Sequence, residues 1–173
     1  MIPRFIRSFQ FPEGVKVNIL KVKELRSGNL RNKRLELYHT PRVDNIIESV
    51  NNITKFGFRI CSPYNNKGMG VYLSSSARYQ YLWLGDTNPI IVCEIQDVTH
   101  LKRFKAEIPP GYEYVAANPD VVIPKYLIDY KITGFNGKDN SLSCGYEMCD
   151  VCKDMRCDCE LKNVWHPQEN ILK

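Results

Sequence analysis

Short segments of alternating or continuous apolar residues recur along the chain, and both patterns are typical of β-strands. Residues 15–22 alternate loosely, and residues 125–132 place Tyr or Ile at every second position. Residues 89–95 are apolar through most of their length, which predicts a strand buried on both faces. The other predicted strands are residues 34–40, 71–74 and 113–117.

Two segments predict short helices. Residues 41–53 predict a helix capped by Asp44, and residues 76–84 follow a serine run and suit a second helix. The residues expected together on one side of the first helix are Ile46, Ile47 and Val50. Residues 56–70 are rich in Gly, Pro and Asn, so they predict an exposed connection.

The order of these elements favours an α+β fold. Strands outnumber helices, and their spacing leaves little room for regular βαβ crossovers. A chain of 173 residues with 43% hydrophobic residues is long enough for one domain with a core. Beyond Gly137 the composition shifts to cysteine and acidic residues. We therefore expect one domain over residues 1–137 and a small cysteine-rich extension over residues 138–173.

The positive charge is concentrated near the N-terminus. The net charge is +5, and the segment through Glu36 contains nine Lys/Arg and three Asp/Glu. Such a segment either binds a polyanion such as nucleic acid or simply keeps a surface hydrated, and the second interpretation is the commoner one. No apolar run is long enough to span a bilayer, and residues 1–14 lack the apolar segment of a secretory signal. We expect an intracellular protein, cytoplasmic or nuclear, without membrane association.

Five of the seven cysteines fall between residues 144 and 159. An odd number of cysteines without a secretory signal argues against a disulfide scaffold. A CxxC pair followed by two further thiols suits a tetrahedral zinc site, with Cys144 or His166 as a substitute ligand. Reduced surface thiols, or a redox-sensitive tail without metal, are the alternative interpretation. The candidate zinc ligands are Cys149, Cys152, Cys157 and Cys159.

The stretch GMGVYLSSSARY, residues 68–79, combines glycines, serines and two tyrosines. Its plain interpretation is a glycine turn that leads into an edge strand, followed by a serine cap that opens a helix. Three other segments accompany it in a fixed order: LYHT (37–40) and GFRICSP (57–63) before it, and EYVAANPDVVIPKYLIDY (113–130) after it.

Together these four segments resemble the catalytic domain of the poly(ADP-ribose) polymerase family, whose members transfer ADP-ribose from NAD. The resemblance runs from about Val15 to Ile132. It implies the ADP-ribosyltransferase fold, with two small, mostly antiparallel sheets and a few short helices around an NAD cleft. It also implies an NAD-dependent ADP-ribosyltransferase, a glycosyltransferase that releases nicotinamide.

The resemblance assigns the catalytic roles to Glu113, His39 and Tyr72. The Glu113 carboxylate would bind the ribose 2-hydroxyl and stabilise positive charge on the sugar. Tyr72 and Tyr79 would stack on the two faces of the nicotinamide ring, and His39 would bind the adenosine ribose.

Further residues are assigned by the resemblance to other parts of the NAD. The Ser76 hydroxyl and the backbone of Thr40 would hold the nicotinamide carboxamide, and Gly70 would let the backbone pass close to the ligand. Asn45 would contact a ribose, and Arg59 would lie near the adenosine or phosphate end.

The sequence also departs from the family pattern. Thr40 and Pro41 stand where the family has a glycine and a hydroxyl residue, and the segment between Ile95 and Glu113 is short. The short acceptor side favours transfer of a single unit to protein acceptors over polymer formation. Two alternatives are a catalytically weak or inactive module that binds NAD or ADP-ribose, and an ADP-ribosyltransferase that modifies nucleic acid.

Overall fold

The computed structural model describes residues 1–11, 13–26, 35–41, 45–60, 67–85, 87–99, 101–106 and 111–134. The boundary expected at residue 137 and the whole cysteine-rich extension lie outside these residues. None of the helices in the described ranges combines the length and the apolar character that crossing a bilayer requires.

Seven strands form one sheet in the order β1-β7-β4-β2-β3-β6-β5, and every neighbouring pair is antiparallel. A single register pair, Tyr38 with Ser74, joins β2 to β3. The expectation of two small sheets is therefore wrong: two blocks of strands are linked into one sheet across a narrow junction. The strands are β1 (Lys16–Glu24), β2 (Leu35–His39), β3 (Val71–Ser74), β4 (Ile90–Ile95), β5 (Leu101–Ala106), β6 (Gly111–Ala116) and β7 (Val122–Thr133).

In the part of the chain that the structure describes, three α-helices cover the two faces of the sheet: α1 (Ile2–Ser8), α2 (Ile46–Phe56) and α3 (Ala77–Leu84). Leu37 and Tyr38 are neighbours on β2, so their side chains point to opposite faces. Leu37 packs in one buried cluster with Val50 of α2. Tyr38 packs in the other with Phe5 of α1 and Ala77 of α3. We call these the α2 face and the α1/α3 face.

The predicted α+β class is confirmed, as is the strand buried on both faces, since all six residues of β4 are buried. Two elements were not predicted. One is α1, which is held in place by Phe5 and Phe9, both completely buried in the cluster of the α1/α3 face. The other is the charged edge strand β5, which pairs with β6 along its whole length. A short 3₁₀ turn, Pro119–Val121, leads into β7.

The N-cap of helix α2 lies one residue later than predicted. Asn45 is the N-cap, and its side chain accepts a hydrogen bond from the Glu48 N–H. Asp44 lies outside the described residues. Ile47 is 77% exposed, so the expected apolar side is wrong in that position. The buried positions are Val50 and Ile53, three residues apart, which is the helical spacing of a single face.

Candidate active site

Tyr72 and Glu113 lie on neighbouring strands and on the same face of the sheet. In the register of β3 and β6, Tyr72 pairs with Val115 and Ser74 pairs with Glu113. Directly paired residues of antiparallel strands share a face, so Tyr72, Ser74 and Glu113 are neighbours on one face. Glu113 is only 6% exposed. The fold thus brings together two of the three residues to which the resemblance gives catalytic roles.

Lys67, which the sequence pattern did not single out, connects these two side chains. Its backbone N–H donates to the Tyr72 hydroxyl oxygen at 3.0 Å, and its ammonium group forms an ion pair with Glu113. The Nζ atom also lies 5.2 Å from the centre of the Phe104 ring. Both charged side chains are buried, at 5% and 8% exposure. The site therefore has a buried, paired carboxylate beneath a half-buried tyrosine.

The Tyr72 hydroxyl is held in a defined position. It donates to the Gly68 carbonyl at 2.7 Å while it accepts from the Lys67 N–H. Burial raises the pKa of Tyr72, and the negative charge of Glu113 raises that pKa further. The ring therefore stays a neutral phenol at physiological pH, with its edge fixed by two backbone groups.

His39 lies on the opposite face of the sheet from Tyr72 and Glu113, and it is bonded to the backbone of Tyr72. The distance from His39 Nδ1 to the Tyr72 carbonyl oxygen is 2.7 Å. A carbonyl only accepts, so Nδ1 carries the proton and donates. The ring packs edge-on against Phe58 on the α2 face. Burial lowers the pKa of His39, so the ring is neutral and Nε2 is left as an acceptor.

The backbone N–H of Thr40 is engaged by Gln80, a second residue that the sequence pattern did not single out. It donates to Gln80 Oε1 at 3.0 Å, and Gln80 Nε2 donates to the Tyr38 carbonyl and to Ser74 Oγ, each at 3.1 Å. Thr40 is buried, and its own hydroxyl oxygen has no hydrogen-bond partner among the described residues. The resemblance assigns the Thr40 backbone to the carboxamide of nicotinamide. In the structure the Thr40 N–H is bonded to the side-chain carboxamide of Gln80 instead.

Ser76 is linked to the first helix. Its hydroxyl donates to the Ser8 carbonyl at 2.6 Å, and the Ala77 N–H donates to the Ser8 hydroxyl at 2.9 Å. Ser76 therefore joins the start of α3 to the end of α1. A hydroxyl that donates one bond can still accept from a ligand, so Ser76 retains an acceptor for an amide N–H.

The two tyrosines of the expected nicotinamide clamp lie on different elements. Tyr72 is on β3, and Tyr79 is on α3, which packs against β3. Tyr79 is 4% exposed, and its N–H donates to the Ser76 carbonyl. The stacking of a ligand ring between them stays a prediction.

Three further predicted contacts have local structural partners. The Asn45 side chain is exposed and bonds both the backbone and the carboxylate of Glu48 as a helix cap. The guanidinium of Arg59 lies 5.5 Å from the centre of the Phe56 ring. Gly70 is buried, and a Cβ there would lie 2.6 Å from the carbonyl oxygen of Ala116. Gly70 therefore lets its own backbone lie close to β6, whereas the resemblance predicts a close approach to the ligand.

The four candidate zinc ligands, Cys149, Cys152, Cys157 and Cys159, lie outside the described residues. Within the ranges that the structure does describe, no three His, Cys, Asp or Glu side chains are grouped to hold a metal. Cys93 is buried on β4, and burial raises the pKa of its thiol well above the usual value. It is a residue of the buried cluster on the α2 face.

Two comparisons with known proteins give no match. No protein-family model matches the chain, and no curated protein matches it. The assignment of function therefore depends on the residues of the site itself.

Proposed function

We propose that this protein is an NAD-dependent ADP-ribosyltransferase that modifies proteins, with transfer of single units favoured over polymer formation. The observation that carries the proposal is the meeting of Tyr72 and Glu113 on one face of the β3–β6 pair, joined by Lys67. A half-buried aromatic ring beside a buried carboxylate suits a ligand with a flat cationic ring attached to a sugar.

The reaction exchanges one bond at the sugar for another. The bond between the nicotinamide nitrogen and ribose C1 breaks, and its electron pair passes to the nitrogen, which leaves as neutral nicotinamide. A nucleophilic atom of the acceptor protein forms the new bond to C1 and releases its proton to Glu113 or to water. Positive charge develops on the sugar in between, and a carboxylate that binds the 2-hydroxyl stabilises it.

Lys67 fits this scheme as a residue that positions Glu113. It engages Oε2 of the carboxylate, so Oε1 is the oxygen that would face the sugar hydroxyl. A buried carboxylate is costly unless it is paired, and the ammonium group supplies that pairing. His39 lies on the α2 face, opposite Glu113, so its role in this scheme is to hold the backbone of Tyr72 through the bond from Nδ1–H to the Tyr72 carbonyl. Its contact with a ribose hydroxyl stays a prediction.

The test is incubation with labelled NAD, scored as label on protein and as nicotinamide release. Glu113→Gln is expected to abolish transfer and to leave NAD binding nearly unchanged, because the amide keeps the shape of the side chain but not its charge. Tyr72→Ala is expected to weaken NAD binding itself. Glu24→Gln, on the exposed strand β1, is the matched control and should retain full activity. Full activity of Glu113→Gln would refute the role assigned to this carboxylate.

A second candidate function is a module that binds NAD or ADP-ribose without transfer. It is favoured by the engagement of the Thr40 N–H by Gln80 and of the Ser76 hydroxyl by Ser8. Titration calorimetry separates the two functions. Tight binding of NAD with neither transfer nor nicotinamide release supports the module, whereas measurable nicotinamide release supports the enzyme.

A further inference from the structure

The Gln80 side chain fills a slot whose hydrogen-bonding groups match one chemical group. Gln80 lies on α3, is 7% exposed, and reaches the junction between β2 and β3. Its carbonyl oxygen accepts from the Thr40 N–H, and its amide nitrogen donates to the Tyr38 carbonyl and to Ser74 Oγ. A primary amide has two N–H donors, so both are used and the group is fully satisfied.

The slot distinguishes a primary carboxamide from its close analogues. Ser74 Oγ donates its own hydrogen to the Ser76 carbonyl at 2.7 Å, so it acts as an acceptor toward Gln80. The slot thus presents one donor and two acceptors. A carboxylate has no hydrogen for the two acceptors, and an N-substituted amide has only one, so each would leave a buried polar group unpaired.

The slot adjoins the candidate active site. Ser74, which forms one wall, pairs in register with Glu113 and lies two residues from Tyr72 on the same face. Thr40, which supplies the donor, comes directly after His39 in the chain. A ligand whose carboxamide entered the slot would therefore have the rest of its body near the tyrosine and the buried carboxylate.

We propose that Gln80 is an internal ligand of a carboxamide subsite, and that an external primary carboxamide binds there when the Gln80 side chain moves out. That the external group is the nicotinamide end of NAD rests on the function proposed above. In the structure Gln80 occupies the subsite. The apparent affinity for an external carboxamide is therefore the intrinsic affinity multiplied by the fraction of molecules in which the Gln80 side chain has moved out.

The same contacts also hold β2 and β3 together where the sheet has its single register pair, and a purely structural clasp is the competing explanation. Under either explanation, a shortened side chain leaves a cavity with the Thr40 N–H and the Tyr38 carbonyl unpaired, and a free carboxamide can fill it. The two explanations differ for the natural protein. Nicotinamide displaces an internal ligand and therefore binds and stabilises the natural protein, whereas a structural clasp stays in place and the natural protein binds no carboxamide.

The experiment measures thermal unfolding of the full chain and of Gln80→Ala with nicotinamide or with nicotinic acid, and then the affinities by titration calorimetry. Gln80→Ala should unfold at a lower temperature than the natural protein, regain part of the difference with nicotinamide, and gain nothing from nicotinic acid. Its affinity for nicotinamide should exceed that of the natural protein by about tenfold or more. Gln80→Glu is the matched control, because its side chain still fills the slot; it should lose stability without rescue.

Three results overturn the proposal: no binding of nicotinamide by the natural protein, no stabilisation of Gln80→Ala by nicotinamide, or equal affinity of the natural protein and the variant. If Gln80→Ala does not fold, Gln80→Ser is measured in the same way and judged by the same outcomes.

The binding of nicotinamide can be measured whether or not the protein transfers ADP-ribose. If Gln80→Ala binds nicotinamide but no form of the protein consumes NAD, the subsite stands and the enzymatic function fails. If the natural protein transfers ADP-ribose but Gln80→Ala binds no better, the enzymatic function stands and the internal ligand fails.

Discussion

Lys67 and Glu113 form a buried ion pair whose side chains are 5% and 8% exposed. The ring of Phe104 lies beside the ammonium group, so little water reaches either charge. Two charges withdrawn from water compensate each other only while both are present. The pair therefore links the stability of the fold to the chemistry of the site.

Lys67→Met should lower the free energy of unfolding by about 3 kcal/mol, because it leaves the Glu113 carboxylate buried without a partner. Combining Lys67→Met with Glu113→Gln removes both charges and should recover part of that loss. Chemical denaturation of the two single variants and the double variant gives the coupling free energy. Strictly additive effects would contradict a direct interaction between the two side chains.

His39 gives the fold a defined response to acid. Burial lowers its pKa below the ordinary value of 6.5, so the unfolded chain takes up a proton at a higher pH than the folded protein does. The stability associated with neutral His39 is complete above pH 6.5 and is lost as the pH falls through 6.5 toward the folded pKa.

His39→Asn should remove this part of the pH dependence. Asparagine does not titrate, and its side-chain amide can still donate an N–H hydrogen bond to the Tyr72 carbonyl. The measurement is the difference in unfolding free energy between variant and natural protein at pH values above and below 6.5. Because the other titrating groups are common to both proteins, a difference independent of pH would show that His39 does not titrate differently on folding.

At the scale of residues, the sequence pointed to individual side chains but not to their partners. The family resemblance pointed to Tyr72 and Glu113, and the structure places them on adjacent strands. Lys67 and Gln80 were missed because their contacts join residues separated by 46 and 40 positions. No local period or motif records such a pairing, since it exists only once the sheet has formed.

Among the elements, β3 depends on one close approach to β6. A Cβ on Gly70 would lie 2.6 Å from the Ala116 carbonyl oxygen and 2.7 Å from a methyl carbon of Val115. These distances are far inside normal contact, and the oxygen belongs to backbone that cannot rotate away. The pairing of β3 with β6, which places Tyr72 and Glu113 on one face, begins directly after this contact.

Gly70→Ala should therefore separate the start of β3 from β6 and lower the free energy of unfolding by about 1–3 kcal/mol. NAD binding should weaken as well, because Tyr72 is only two residues further on. Met69→Ala is the control, since Met69 is 58% exposed and its loss should change neither property. Chemical denaturation measures the stability of both variants, and titration calorimetry measures their NAD binding. Unchanged stability of Gly70→Ala would contradict the predicted clash between a Cβ at position 70 and β6.

Elements with a strong internal pattern were predicted, and those formed by long-range packing were not. Continuous apolar residues identified β4, whereas β5 mixes charged and apolar residues and gains its conformation from pairing with β6. Helix α1 has only seven residues, too few for stability alone. It is held by the ring of Phe5, which packs edge-on against Tyr38 and Tyr130.

For the molecule as a whole, the narrow junction between β2 and β3 divides the sheet into two blocks. One block is β1-β7-β4-β2, and the other is β3-β6-β5. Few backbone hydrogen bonds cross the junction, and the Gln80 side chain supplies part of the connection. The α+β class was predictable from the ratio of strands to helices, but the joining of the blocks was not. It depends on one register pair and on the side-chain hydrogen bonds of Gln80 and His39 across the junction.

Native-state hydrogen exchange should separate the two blocks. Amides in the β4–β7 pair are expected to exchange only on global unfolding, since both strands are flanked on each side by others. Amides in the β3–β6 pair should exchange at a lower opening free energy, because their block is smaller and loosely joined. Mass spectrometry of peptides from each pair gives the comparison. Equal opening free energies would show that the sheet opens only as a unit.

The order of the strands places β1 and β5 at the two margins of the sheet, where no other strand of the described residues pairs with their outer backbone groups. Exposed lysines line the first margin at Lys16, Lys21 and Lys23, and Lys102 with Arg103 mark the second. A second copy that approached margin to margin would meet charge of its own sign. Electrostatic repulsion thus protects these open edges from the strand-by-strand stacking that leads to fibrils.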